Sequence, residues 1–219
     1  VELAAKIKRE GKGIPKKEFT WKLGERVHRV DAREKTLGYG EYVDDMEVEG
    51  LLHASAVRSK YPRARVLSID TEKAKAVPGI VDIFTAADIP GDVKVGHLVQ
   101  DWDTMIPVGS ITHYLGDAIA LVVGENLDVV EKAKKLVKVE YEELPFVSSP
   151  YEAMKEDAPQ VHGSGNLLAH KHVSRGNAKE AIANAKYVYT EEFHTPWTEH
   201  AFLEPECAIA MPYEDGVLI

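Results

Sequence analysis

The chain has 219 residues, a formal net charge of −9 and one cysteine, and its length allows one large domain or two small ones. The negative charge argues against a nucleic-acid-binding surface, and the single Cys207 excludes an intrachain disulfide framework, a four-cysteine iron–sulfur cluster and a cysteine-rich zinc site. No run approaches the roughly 18 apolar residues of a membrane span and no stretch resembles a secretion signal, which is compatible with a cytoplasmic protein.

Residues 1–27 are interpreted as a basic N-terminal arm or linker. The first 22 residues carry seven positive and three negative side chains, and a helix over residues 2–10 would be followed by a linker with Gly and Pro at residues 11–15. A basic arm that binds an acidic partner is one interpretation, and a solvated linker from an upstream domain is the favoured one. Because the sequence begins without methionine and ends on an apolar run at Ile219, we expect it to be a piece of a longer protein.

Residues 38–90 are predicted to form a strand–strand–helix–strand unit. Asp70 or Thr71 can cap the helix, because their side-chain oxygens can accept hydrogen bonds from its first free amides. Pro78 and Gly79 end it. The apolar pattern predicts strands at residues 51–58, 64–69 and 80–84 and the helix at residues 71–77.

Residues 91–112 lack a regular pattern and are predicted to form a loop anchored by Trp102. Asp101 and Asp103 flank this tryptophan, and two acids at that spacing can ligate a hard cation. Such a site needs more oxygen ligands than the stretch offers, so the anchored loop is the favoured interpretation.

Residues 115–141 predict a strand, a helix and a second strand. The continuous apolar run at residues 118–123 is typical of a buried strand, and Leu121 is expected in the core. Asn126 is placed to cap the helix that follows, and residues 136–141 form the second strand. The length of the crossover favours two strands of one sheet, either as parallel neighbours or one strand apart.

A loop at residues 151–165 is predicted to separate a domain of residues 28–150 from a domain of residues 160–219. A short helix is expected after Asn177, with Glu180 in the capping-box position. Alternating patterns predict strands at residues 167–174, 187–195 and 207–211.

His170 and His172 are one candidate for chemistry in this second domain. In a strand both imidazoles would point to the same face, which is the geometry of a two-histidine metal pair. No third ligand stands at a recognisable spacing, so two histidines on an exposed surface are the favoured interpretation.

The stretch from Glu199 to Glu206 is the other candidate, since it places three carboxylates and His200 among apolar residues. Carboxylates paired with histidine can perform general acid–base catalysis. The favoured alternative is that Glu204 and His200 satisfy backbone amides where two strands meet. The sequence has no dinucleotide-binding GxGxxG loop, Walker A loop or GxSxG elbow.

A series of short runs follows a specific order and spacing along residues 28–211. It begins with Asp31, Gly38, Tyr42 and Asp45. It continues with Gly50-Leu51-Leu52-His53-Ala54, Val57-Arg58-Ser59, Ile69-Asp70, Val77-Pro78-Gly79, Thr85-Ala86-Ala87-Asp88-Ile89-Pro90, Gly116-Asp117-Ala118-Ile119-Ala120-Leu121-Val122-Val123 and Val139-Glu140-Tyr141-Glu142-Glu143-Leu144-Pro145. In this order the runs resemble the large, molybdenum-cofactor subunit of the xanthine dehydrogenase/aldehyde oxidase family.

The sequence departs from that family at two places. Ser59-Lys60-Tyr61-Pro62 replaces a more usual Ser-Pro, and Arg175-Gly176-Asn177 stands where the family tends to have Gly-Asp. The resemblance otherwise covers nearly the whole chain, and its specificity comes from the order and spacing of the runs.

The resemblance implies an α+β fold, in which an α/β hammerhead domain at residues 28–150 precedes the truncated start of the molybdopterin-binding domain at residues 160–219. It implies a parent enzyme that hydroxylates a purine, an aldehyde or an N-heterocycle, with water as the oxygen source and a molybdenum–pterin cofactor. The partners would be the remaining cofactor-binding domain and the iron–sulfur and FAD domains or subunits of an oligomeric parent, with neither nucleic acid nor membrane.

No catalytic, cofactor-binding or metal-binding residue of the family is carried onto this chain. In the family the cofactor is held by a glutamine just after the present C-terminus, by glycine-rich loops further on and by a distant catalytic glutamate. We therefore expect the chain alone to be inactive. The alternatives are a non-catalytic structural or interaction module that retains the hammerhead fold, and a metal protein that uses His170 and His172.

Overall fold

The computed structural model describes residues 23–204 and 206–219. The predicted helix at residues 2–10 and linker at residues 11–15 lie outside this part of the chain. Two compact units are present, one of residues 50–188 and one that combines residues 23–49 with residues 189–219. No helix in the described part is long and apolar enough to cross a membrane.

The described secondary structure consists of short strands and short helices. The strands are β1 (His53–Arg58), β2 (Ala64–Asp70), β3 (Ile80–Thr85), β4 (Lys94–Val95), β5 (Trp102–Asp103), β6 (Ala118–Gly124), β7 (Lys138–Glu143), β8 (Met211–Tyr213) and β9 (Gly216–Leu218). The helices are α1 (Ala32–Leu37), α2 (Glu72–Lys75), α3 (Leu127–Lys134), α4 (Pro150–Ala153) and α5 (Ala178–Ala183), with 3-10 turns at Val43–Asp45 and Ala86–Asp88. The predicted α+β class is confirmed.

The unit of residues 50–188 is built on an antiparallel sheet with the strand order β1–β6–β3. Of the two predicted caps of α2, Thr71 occupies the N-cap position without a side-chain hydrogen bond, and Asp70 Oδ1 accepts a hydrogen bond from the Glu72 amide at 3.0 Å. Helix α3 begins at its predicted cap, since Asn126 Oδ1 accepts a hydrogen bond from the Val129 amide at 3.0 Å. Gly79, just after α2, has a φ of +89°, which a residue with a side chain rarely adopts. The core cluster consists of Ala74, Ile83, Ala120, Val122, Val130 and Ala133.

The expectation that Leu121 is a core residue is wrong. Ala120 and Val122 belong to the buried cluster with α3, whereas Leu121 points to the other face of the sheet and is partly exposed. On that face Leu121 lies between Ala56 of β1 and Phe84 of β3, which is exposed. A continuous apolar run therefore does not mean that both faces of this strand are buried.

The prediction that the strands on either side of α3 share one sheet is also wrong. Strand β7 pairs antiparallel with β2 in a separate two-stranded sheet. This pairing allows Val139 and Tyr141 of β7 to pack against the buried Val66, Ile106 and Ile119. The helix therefore carries the chain from one sheet to the other.

The region predicted as an irregular loop contains a small hairpin, in which β4 pairs antiparallel with β5. The proposed anchor, Trp102, is 59% exposed, whereas its neighbour Asp103 is buried. The prediction of an anchoring tryptophan is therefore wrong, and the inward-facing side chain of this strand is an acid.

The strands predicted at residues 167–174 and 187–195 are absent from the structure, and of residues 207–211 only Met211 is in a strand. Alternation predicts which residues would face the same way, but a strand also needs a neighbour to accept and donate its backbone hydrogen bonds. Helix α5 is confirmed, with Asn177 Oδ1 accepting from the Glu180 amide at 3.2 Å. The division into domains at residues 28–150 and 160–219 stays a prediction.

The unit that combines residues 23–49 with residues 189–219 contains α1, which the sequence did not predict. Its end follows the usual rule, because Gly38 takes up a left-handed conformation with a φ of +79°. The same unit contains the hairpin β8–β9, whose turn is formed by Glu214 and Asp215.

Candidate functional site

The hairpin β4–β5 carries a buried carboxylate with two basic partners. Asp103 has a side chain that is only 8% exposed, and its Oδ2 atom accepts a hydrogen bond from Lys94 Nζ at 3.0 Å. The pairing follows from the strand register, since Lys94 lies directly opposite Asp103. The same oxygen lies 3.2 Å from His113 Nε2.

A second buried acid shapes the loop that presents His113. Asp117 Oδ2 accepts hydrogen bonds from the backbone amides of His113 at 2.6 Å and Tyr114 at 3.4 Å. The Asp117 carbonyl also accepts from the Ser59 amide at 2.7 Å. These hydrogen bonds hold the backbone of the loop that carries His113.

Asp101 and Trp102 line a recess next to the hairpin. Trp102 packs edge-on against Tyr114 with ring centroids 6.0 Å apart, and Asp101 Oδ2 lies 3.1 Å from His162 Nε2. The recess has a volume of about 250 Å³ and is lined by Asp101, Trp102, His113, Tyr114, Asp117, Val161, His162 and Leu168.

Asp101 and Asp103 were predicted either to ligate a cation or to flank an anchoring Trp102. In the structure they form two separate imidazole–carboxylate pairs instead. Each aspartate contacts a different histidine. Across residues 23–204 and 206–219 no group of three or more His, Cys, Asp or Glu side chains is placed to hold a metal ion. An imidazole beside a carboxylate can perform acid–base chemistry. Here, each pair instead connects two segments of the chain.

His170 and His172 lie in an extended segment that is not a strand, and both are exposed. The shared strand face on which a two-histidine metal pair depended is therefore not formed. The interpretation as surface histidines agrees with this exposure.

The stretch from Glu199 to Glu206 contacts residues near it and far from it in sequence. Glu204 Oε1 accepts from the Val43 amide at 3.5 Å, and its Oε2 atom lies 3.9 Å from Lys35 Nζ. The His200 ring stacks on Phe202 with centroids 5.3 Å apart. Glu204 therefore satisfies a backbone amide as predicted, but residues 199–204 form no strand and the predicted role of the His200 side chain is wrong.

The sequence interpretation missed the partners of Asp103. Lys94 and His113 stand nine residues before it and ten after it, and neither spacing is a recognised motif. The strands β4 and β5 are joined by residues 96–101, which is too long a loop for a tight-turn motif to have indicated the pairing of Lys94 with Asp103.

Two family models match the chain in succession. The model described as aldehyde oxidase and xanthine dehydrogenase, a/b hammerhead domain, matches residues 37–145. The model described as molybdopterin cofactor-binding domain matches residues 161–219. Together they agree with the predicted hammerhead fold followed by the start of a cofactor-binding domain.

Relatives with assigned names match over most of this chain. A xanthine dehydrogenase molybdenum-binding subunit of Escherichia coli O157:H7 is 34% identical over 198 residues, which is 86% of this chain and 26% of the relative. A nicotinate dehydrogenase large molybdopterin subunit of Eubacterium barkeri is 31% identical over 196 residues, covering 90% of this chain and 46% of the relative. The chain spans about a quarter of the length of the first of these relatives.

Solved structures show the same similarity. The aldehyde oxidoreductase from Desulfovibrio gigas aligns with a TM-score of 0.61 and 27% identity over 73% of this chain and 19% of that one. A Cu,Mo-CO dehydrogenase aligns with a TM-score of 0.57 and 34% identity over 68% of this chain and 18% of that one.

Proposed function

Because the chain belongs to the aldehyde oxidase and xanthine dehydrogenase family, we propose that it is the scaffold part of a molybdenum-dependent hydroxylase. The observation that carries the proposal is the succession of a hammerhead match at residues 37–145 and a cofactor-binding match at residues 161–219. The parent enzyme oxidises a purine, an aldehyde or an N-heterocycle and takes the oxygen atom from water.

The matches also support the proposed domain division. Residues 28–150 form the hammerhead domain, and residues 160–219 begin the molybdopterin-binding domain. Residues 1–27 precede both as a basic arm or linker.

A molybdenum–pterin cofactor would supply the oxidation chemistry of the parent when bound. The described residues do not fit this cofactor by themselves. Large side chains along the second match, such as Leu168 and Trp197, are fully exposed, and residues 161–219 contain no glycine-rich run that could wrap an anionic group. No step of the reaction is therefore assigned to a residue of this chain, and we propose that the chain alone is inactive.

The proposed partners follow from the same family. The names of the relatives describe subunits, including a large molybdopterin subunit, which supports partner domains or subunits that carry iron–sulfur clusters and FAD. An oligomeric parent and a cytoplasmic location stay predictions.

Two preparations test the proposal. The purified 219-residue chain should contain no stoichiometric molybdenum by elemental analysis, whereas the parent should contain it and should incorporate labelled oxygen from ¹⁸O-water into its product. Stoichiometric molybdenum in the 219-residue chain would overturn the scaffold role.

The coding sequence after Ile219 separates this proposal from a non-catalytic module. A run of the Gly-Gly-x-Gly-Gly kind within about a hundred residues supports the enzyme, since such loops approach anionic cofactors closely. A stop codon directly after Ile219 supports a structural or interaction module.

A further inference from the structure

A cavity with a cationic rim lies between the two sheets of the unit of residues 50–188. It has a volume of about 500 Å³, within the range of small-molecule sites. The end of β1, the loop after it, the last turn of α3 and the start of β7 form its walls. We call it the cationic cavity, and its lining residues are Val57, Arg58, Lys60, Tyr61, Glu131, Lys134, Lys135, Val137, Val139 and Tyr141.

The charge of this cavity is opposite to that of the protein. Four of its lining side chains are cationic and one, Glu131, is acidic, although the chain has a net charge of −9. Glu131 is already paired with Lys134 at 2.6 Å, and Lys134 also donates to Ser55 Oγ at 2.8 Å. Arg58 donates to the Gly116 carbonyl at 2.9 Å, which leaves its positive charge uncompensated.

Lys60 and Lys135 are the two lysines of the rim whose ammonium groups are available to a ligand. Both are exposed, and neither ammonium group makes a hydrogen bond or ion pair with another residue that the structure describes. Lysines in the last turn of α3 offset the negative end of the helix dipole, which accounts for Lys134 and Lys135. This explanation does not extend to Arg58 and Lys60, which reach the same cavity from β1 and the following loop.

The remaining side chains that line the cavity are apolar or aromatic. Tyr61 and Tyr141 pack edge to face with ring centroids 5.2 Å apart, and Val57, Val137 and Val139 complete the apolar lining. Aromatic rings of a ligand pack well against such side chains, and burial of an apolar body adds to its affinity.

We propose that the cationic cavity binds a small aromatic molecule that carries a phosphate or carboxylate group. The anionic group lies at the rim, where Lys60 and Lys135 can each donate a charge-assisted hydrogen bond. The aromatic body lies against Tyr61 and Tyr141. The proposal rests on the lining of this cavity and not on the proposed function.

Calorimetric titration of the full chain at low ionic strength tests the site, with phenyl phosphate and benzoate as probes and phenol and inorganic phosphate as controls. Phenyl phosphate or benzoate should bind with a measurable Kd that rises with added salt, because the contacts at the rim are exposed. Phenol and inorganic phosphate should each bind more weakly, since phenol lacks the anionic group and inorganic phosphate lacks the aromatic ring. The comparison of phenyl phosphate with benzoate identifies the preferred anionic group.

A double variant, Lys60→Gln with Lys135→Gln, should raise the Kd of the better probe by roughly tenfold, the combined effect of two partly exposed charge contacts. Lys132→Gln is the matched control, because Lys132 is an exposed lysine of α3 that does not line the cavity. An unchanged melting temperature of both variants shows that folding is not the cause. The proposal is overturned by an equal Kd in the double variant, by equal binding of phenol, or by no binding of either probe at millimolar concentration.

Discussion

Asp101 and His162 lie in contact, with Oδ2 and Nε2 3.1 Å apart, and this contact joins the two regions matched by the family models. Asp101 lies beside the hairpin β4–β5 in the hammerhead match, and His162 is the second residue of the cofactor-binding match. The loop from residue 154 to residue 166 is further held by Asn166, whose Nδ2 atom donates to the carbonyls of Ala153 and Pro159.

Replacing His162 should loosen this loop without unfolding the protein. Both side chains of the pair are nearly half exposed, so His162→Gln should lower the free energy of unfolding by less than about 1 kcal/mol. Amide hydrogen exchange of residues 155–166 should become faster. His194→Gln is the control, because its pair with Glu192 joins neighbouring residues of one segment. Unchanged exchange in His162→Gln would show that the pair does not hold the loop.

Replacing Asp103 should cost more than replacing Asp101, two residues away. The Asp103 carboxylate is buried against Lys94 and His113, which are themselves partly exposed. Asp103→Asn should therefore destabilise the protein by about 1–3 kcal/mol, less than a fully buried pair would lose.

Asp101→Asn provides the matched control for that experiment, and its expected loss is below about 1 kcal/mol. Urea denaturation of both variants gives the comparison. Equal losses would mean that the burial of Asp103 contributes nothing to the strength of its contacts.

The sequence predicted local structure well wherever short-range chemistry decides it. Asn126, Asn177 and Asp70 bind the helix amides that their positions indicated. Which sheet a strand joins depends on residues far away in sequence, and for this reason the pairing of β7 with β2 was not predicted.

The candidate site was predicted less well, for a similar reason. Asp103 stood out in the sequence, but Lys94 and His113 became its partners only through the hairpin and the loop held by Asp117. At residues 167–174 and 187–195 the sequence predicted too much structure. The alternating pattern is present there, but the described residues form no strand.

Two positions on the same face of β6, Ile119 and Leu121, should respond differently to truncation. Ile119 is fully buried against Val66 and Ile106, whereas Leu121 is partly exposed on the sheet. Ile119→Ala should cost about 2–5 kcal/mol, because it leaves a cavity that its neighbours fill only in part. Leu121→Ala should cost less than half of that. Chemical denaturation measures both, and an equal loss would place Leu121 in the core after all.

Acid should weaken the 3-10 turn at Ala86–Asp88. Asp88 Oδ2 accepts from the Thr85 amide at 2.7 Å and from Thr85 Oγ1 at 2.9 Å. These hydrogen bonds, the backbone one first, hold the pKa of Asp88 below its ordinary value of 3.8. Because the folded pKa is the lower one, the stabilisation is complete above pH 3.8 and is lost as the pH falls through the folded pKa.

Asp88→Asn should therefore destabilise the protein more at pH 6 than at about pH 3, which lies below the ordinary pKa of 3.8. Thr85→Val removes the hydroxyl donor but keeps the backbone amide, so it should move the pKa of Asp88 part of the way back toward 3.8. The NMR titration of the Asp88 carboxyl carbon in wild type and Thr85→Val measures this change directly. An Asp88 pKa in Thr85→Val that is no higher than in wild type would contradict the role of the hydroxyl, because losing a hydrogen bond to the charged form should raise it.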